Sequence, residues 1–343
     1  MPLRYPAFAN KQVRQAASNS PPMRQGARGG GVAILQAALI DLGYPMPVST
    51  RKTGIPDGVY GRETKAKVIA FQAKQSLVKD GIAARRTFNR LDAVMMKKTS
   101  MPLPKPAPPP PLPTSRDYKI GTTDPTIRPD PGAGAWNSVA TTMTARVQKQ
   151  LILEILPPRS ASAALVIGDD AAHHLKHYMD NTERKLTIDL EGMIEEVRTA
   201  KMRFHNEVNQ AKAFVEQLAV GEHRITSKMA EGARNRKSEN GNWFFAIGGY
   251  STWGKGLARV KKDASGRREY ELDFEYKFFD RYNWDGGKAA EIFGITITDQ
   301  FMGEFHRQGL AREYDCVGSI KRKLRWKDGE AIPAQQLLPA SKR

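Results

Sequence analysis

The sequence predicts a multidomain chain: a small all-α N-terminal unit, a proline-rich linker, and a C-terminal α+β domain whose long helices precede a small antiparallel sheet. Three observations carry this. Residues 101–113 read MPLPKPAPPPPLP, a tract suited to extended polyproline II and to holding its neighbours apart. From Ser138 to about Met229 apolar residues recur three or four apart, the helical period. Beyond Asn240 the composition turns aromatic and alternating, the strand period. The expected divisions are a flexible arm over 1–25, a helical domain over 26–98, a linker over 99–135, an α+β domain over 136–330 and a tail over 331–343.

Taken in order, residues 1–25 contain prolines and no periodicity, so they read as an arm. Val32–Leu39 forms an amphipathic helix that ends at Leu42-Gly43-Tyr44, glycine being the usual terminator. Asp57-Gly58 precedes Thr64 and a helix carrying Val68, Phe71 and Gln72; Asp80-Gly81 precedes Thr87 and a helix carrying Leu91. Each Asp-Gly supplies a turn with positive φ, and two copies of one device indicate a pseudo-repeat.

These LQ, LGY, DGVYG, T, FQ and DGI elements resemble the three-helix peptidoglycan-binding domain attached to many bacterial wall hydrolases. Ala84 departs from the glycine usual before the third helix. The resemblance implies peptidoglycan as partner, with the ligand face expected at Asp57, Tyr60, Gly61 and Arg62. Leu35, Leu39, Val68, Phe71 and Leu91 are expected in the core.

In the C-terminal part, Leu186 through Leu218 predicts one long amphipathic helix. Trp243–Ile247 and Tyr270–Phe278 predict strands, with Asp263-Ala264-Ser265-Gly266 as the hairpin turn between them. Ile297–Leu310 predicts a helix capped by Asp299, and Cys316–Trp326 a last strand.

The densest polar cluster is Phe279-Asp280-Arg281-Tyr282-Asn283-Trp284-Asp285-Gly286-Gly287-Lys288. Two carboxylates, a guanidinium and two aromatics in one loop could converge on a ligand. If the domain is an enzyme, Asp280, Asp285 and His306 are the candidate acid, base or ligand groups, and Arg281 the anion holder. His306, Gly309, Ala311 and Glu313 resemble part of the zinc-ligand motif of D-alanyl-D-alanine peptidases, but Glu304 stands where serine is expected, Glu313 replaces aspartate, and no second histidine follows. Zinc catalysis needs three protein ligands, so no metal site is assigned and the cofactor stays unknown. His173, His174 and His177 sit in one helical stretch, where His173 and His177 could face one way and bind a metal, but with no third ligand nearby the face is read as solvated or partly packed. Cys316 alone permits no internal disulfide and reads as a buried strand residue, and the run Lys321–Lys327 as a solvated basic tail. The segment from Tyr276 through EYDCVGS also resembles C-terminal domains of bacterial secreted antibacterial effectors and polymorphic toxins.

Lys and Arg number 54 against 36 Asp and Glu, a net +18 that attracts polyanions. Wall polymer is the favoured one, and nucleic acid is not. There is no signal-peptide pattern and no span of the roughly 18 apolar residues a membrane helix needs. The expected function is a peptidoglycan-binding protein that anchors an envelope-acting antibacterial effector domain. It would be secreted or delivered to the periplasm or wall by a non-classical route, with an immunity protein or secretion apparatus as further partners. The alternatives are a zinc-dependent wall peptidase and a non-enzymatic adaptor or phage or secretion structural protein.

Overall fold

The computed structural model describes residues 3–98, 118–129, 132–155, 168–284, 289–292 and 295–339. Two hydrophobic cores organise them. The first is built from α1 (Lys11–Ala17), α2 (Gly30–Asp41), α3 (Arg62–Lys74) and α4 (Arg85–Lys98). Every residue of α2 from Gly31 to Leu39 is buried, so this helix is the centre of the lobe.

The expected flexible arm is corrected. Tyr5, Phe8, Val13 and Ala16 are buried in the first core, Phe8 lies edge-on to Phe88 at 5.7 Å, and Asn10 caps α1 through its side chain. The Asp92 carboxylate accepts the backbone N–H groups of Arg4 and Tyr5 at 2.8 and 2.6 Å. Without a periodic pattern the arm looked loose, yet its few apolar side chains cover α4.

The polyproline tract itself lies outside the described residues, but the expected separation of the two units is overturned by α5 (Met143–Ile155). This helix lies beyond the linker in sequence and packs on α2: Val147 belongs to the first core and Leu151 lies against it. Asp41, at the end of α2, caps α5 by accepting the N–H groups of Met143 and Thr144 at 2.7 and 2.9 Å.

The second core lies under a sheet whose strands are β1 (Tyr118–Ile120), β2 (Leu186–Thr187), β3 (Gly221–Ser227), β4 (Ala230–Arg234), β5 (Gly249–Lys262), β6 (Arg268–Tyr282) and β9 (Tyr314–Lys327). Their order is β1-β3-β5-β6-β9-β2, with β4 also beside β5. β2 runs parallel to β9 and the other pairs are antiparallel, so the sheet is mixed and seven-stranded instead of small and purely antiparallel. A separate hairpin joins β7 (Ala289–Ile292) and β8 (Ile295–Thr298). The inner face is filled by α6 (Asp169–Met179), α7 (Leu190–Glu196) and α8 (Arg198–Val215). β1 and the buried Ala133 belong to this lobe, so the linker does not extend to residue 135.

Several local expectations change for stated reasons. The predicted long helix is divided: Asp189 caps α7 through its side chain, and Val197 is extended (φ −113°, ψ 109°) between α7 and α8. Trp243–Ile247 is not a strand, because the Asn240 side chain accepts the Trp243 N–H and starts α9 (Gly241–Ala246). The Asp263–Gly266 turn does join a hairpin, with β5 as the first strand. Thr298, not Asp299, caps α10 (Asp299–Arg307). The basic run is strand β9, where alternation turns Arg322 inward. Its guanidinium pairs with both Glu191 oxygens at 2.7 Å. The expected tail includes Gln336, whose side chain bonds the Arg325 backbone and covers that edge.

Candidate functional site

In the helical lobe the two Asp-Gly turns are organised around two buried glutamines. Gln36, from α2, donates to Asp57 Oδ1, Val59 O and Thr64 Oγ1, each at 3.0 Å, and accepts the Gly58 N–H at 3.0 Å. Gln72, from α3, repeats this on Asp80 Oδ1, Ile82 O and Thr87 Oγ1 at 2.8, 3.1 and 3.2 Å, and accepts the Gly81 N–H at 2.9 Å. Gly58 and Gly81 have φ of 68° and 70°, the region where a Cβ is strained. The pseudo-repeat is therefore a repeat of four hydrogen bonds.

This geometry separates the expected ligand residues. Tyr60 is 1% exposed and donates its hydroxyl to Gly81 O at 2.9 Å, so it ties one turn to the other inside the core. Asp57 is exposed, but its Oδ1 accepts from Gln36 and from the Val59 N–H. Gly61 is half-buried at the start of α3, and Arg62 is exposed to solvent.

In the second lobe the end of β6 meets the start of β9, with Asp280 in register with Cys316, Arg281 with Asp315 and Tyr282 with Tyr314. Arg281 is held by the Asp315 carboxylate at 2.9 Å. Tyr282 stacks on Tyr314 at 5.1 Å, and the Tyr314 hydroxyl lies 3.0 Å from His174 Nδ1 on α6, with Cys316 Sγ 3.7 Å from the same nitrogen. Burial, and then the Asp280 and Asp315 charges, hold the Cys316 thiol well above its ordinary range. Burial also pushes His174 down to about 3, the neighbouring His173 and His177 adding to this. A protonated thiol beside a neutral imidazole is not the ion pair that nucleophilic cysteine chemistry uses.

His306 stands apart from that cluster as a fold element. Its Nε2 lies 3.0 Å from Gly134 O, and its Nδ1 accepts the Glu313 N–H at 3.1 Å. Burial lowers its pKa. Glu313 is 1% exposed and accepts the N–H groups of Ala133 and Trp284 at 2.8 and 3.0 Å. The fragment that resembled a zinc motif is thus a clasp joining residues 132–134, the end of β6 and the end of α10. Among the described residues no three histidine, cysteine or acidic side chains are grouped to hold a metal ion. Asp285 lies outside the described residues, and Asp280 is half-buried at the rim of the aromatic cluster.

Sequence reasoning placed His173, His174 and His177 on one helical stretch but weighed only the pair His173 and His177, whereas His174 is the buried member of the trio. Its signal was the apolar spacing of Ala171, His174, Leu175 and Tyr178, all buried on one face. The lowered pKa sets a pH dependence. The folded state keeps His174 neutral while the unfolded chain protonates below about pH 6.5, so its contribution is complete above that pH and declines toward pH 3. Urea titrations should show stability falling by about 1.4 kcal/mol per pH unit from this group between pH 6 and 4. His174→Phe should flatten that slope, and an unchanged slope would refute the assignment.

Among the described residues no helix is long and apolar enough to cross a membrane. A comparison with curated proteins finds no match. A comparison with solved structures finds PaeM, a colicin M-like bacteriocin produced by Pseudomonas aeruginosa, at 12% identity and a TM-score of 0.27, over 47% of this chain and 52% of that one. The match thus spans about half the length of that structure. Residues 28–91 match the family described as "Putative peptidoglycan binding domain", and this part of the chain, with its paired Gln–Asp-Gly–Thr turns, is a domain of that family.

Proposed function

We propose that the protein binds peptidoglycan through its N-terminal lobe and carries a second lobe that acts at the bacterial envelope as a secreted antibacterial effector. The carrying observation is the family domain at residues 28–91, whose turns are fully bonded. The docking of α5 on α2 supports the coupling, because it fixes the second lobe beside the wall-binding one. Anchoring then raises the local concentration of the second lobe at its target. One observation favours a second reading, the non-enzymatic adaptor: His306 and Glu313 are consumed in building the fold.

The test uses the full chain, because Val147 of α5 fills part of the first core. It should co-sediment with purified sacculi, and should still do so at about 1 M salt, where screening acts within roughly 3 Å. Binding that vanishes with salt would reduce the interaction to the +18 charge. Periplasmic expression in a susceptible bacterium should arrest growth or cause lysis. Normal growth with wall binding intact would leave the adaptor.

A further inference from the structure

The two turn devices make the same four hydrogen bonds, yet the chain takes very different lengths to close them. Gln36 and Asp57 are 21 residues apart, whereas Gln72 and Asp80 are 8 apart. The short copy demonstrates that the turn closes without a long loop, so most of residues 44–56 is surplus to the fold of this lobe.

Surplus loops are ordinarily loose, and this one is built. Met46 and Pro56 are buried at its two ends. The Glu63 carboxylate accepts the N–H groups of Val48 and Ser49 at 3.1 and 2.8 Å and the Ser49 hydroxyl at 2.8 Å. The Thr50 hydroxyl donates to Met46 O at 2.9 Å, Gly54 N–H to Thr50 O at 2.8 Å, and Asp57 N–H to Ser49 O at 3.0 Å. The rigid apex presents Val48, 71% exposed, with Arg51, Lys52 and Thr53 also exposed, and Arg62 is exposed one residue before the Glu63 clamp. Residues 44–56 contain no carboxylate, and Asp57 at the base has its Oδ1 engaged. An exposed apolar side chain on the same built loop as two exposed cations suits a ligand that is partly apolar and anionic.

We propose that the loop of residues 44–56, with Arg62, is the ligand-contacting element of the wall-binding lobe and recognises the carboxylate-bearing stem peptides of peptidoglycan. This rests on the wall-binding reading above. Arg51, Lys52 and Arg62 pair with stem carboxylates, and Val48 covers an alkyl side chain between them. The glycan strand, whose sugars are largely uncharged, offers these cations little. The loop also sends Ile55 into the cleft of about 540 Å³ shared with Arg146, Leu153 and Leu310, so a bound stem is presented beside α5 of the second lobe.

The test measures binding of the full chain to sacculi at about 0.5 M salt, where exposed long-range charge is screened. The loop variants are Arg51→Glu with Lys52→Glu, and Val48→Ser. The control is Arg85→Glu with Arg86→Glu, an equal charge change on exposed residues of the second copy. The Arg51/Lys52 variant should bind about tenfold more weakly and Val48→Ser several-fold more weakly, while the control stays within about twofold of wild type. Excess soluble stem peptide should displace wild type from intact sacculi, whereas an equal excess of an N-acetylglucosamine oligomer, which carries no carboxylate, should not. Equal loss in the loop and control variants, or displacement by the sugar oligomer and not by the stem peptide, overturns the proposal. Wild type that binds no sacculi overturns the wall-binding reading itself, a different outcome from variants that bind as wild type does. All five substituted side chains are solvent-exposed, so thermal unfolding should be unchanged.

Discussion

Gln36→Leu is expected to destabilise the helical lobe by about 3 kcal/mol. Leucine approximates the glutamine volume and leaves the Gly58 N–H, the Val59 carbonyl and the Thr64 hydroxyl without their shared partner at a site that is 0% exposed. Each buried group left unsatisfied costs about 1–3 kcal/mol, and the apolar gain offsets only part. All five tryptophans, from Trp136 to Trp326, lie outside this lobe. Ellipticity at the helical wavelength should therefore report the loss in urea, with tryptophan fluorescence following the sheet lobe. Gln72→Leu should cost nearly the same, since Gln72 makes the same bonds. A loss under about 1 kcal/mol in both would refute the role assigned to the glutamines.

Glu313→Ala should be more damaging, by about 4 kcal/mol, and should act on the other lobe. The carboxylate is 1% exposed and accepts two backbone donors from segments distant in sequence, Ala133 and Trp284. Its removal leaves the buried Ala133 N–H and the part-buried Trp284 N–H without that acceptor and opens a void where three segments meet. Gly132 adapts to the same group: its φ is 55°, and a Cβ there would collide with the Glu313 carboxylate. Gly132→Ala should therefore destabilise as well. Tryptophan fluorescence in urea reads both variants, Trp284 being bonded to the clasp. Glu313→Gln keeps the shape and one acceptor oxygen and should cost less. If Glu313→Ala folds as stably as wild type, the clasp is not what holds residues 132–134 to the sheet.

The helical lobe was legible because its information is local. Asp-Gly followed by Thr seven residues later specifies a turn and a helix start within one short window. Tyr270–Phe278 was legible for the same reason: its alternation puts Leu272, Phe274, Tyr276 and Phe278 in the core. The ligand residues fared differently, because motif position does not reveal direction. Tyr60 belongs to the most recognisable motif, and that motif uses it as core. His306 and Glu313 showed a chemically suggestive spacing, and backbone groups far away in sequence claim both.

The sequence alone determined the wall-binding family of residues 28–91, the strands at Tyr270–Phe278 and Cys316–Trp326, and the hairpin turn at Asp263–Gly266. Each depends on propensities expressed within a few neighbouring residues. Only the tertiary structure decided that α5 docks on α2, that the arm joins the first core, that His174 is the buried member of the His173, His174 and His177 trio and that β2 makes the sheet mixed. Those outcomes depend on partners such as Asp41 with Met143 and Ala133 with Glu313, 102 and 180 residues apart. No local pattern encodes such pairs, because their energy comes from burying groups that meet only once the chain has folded.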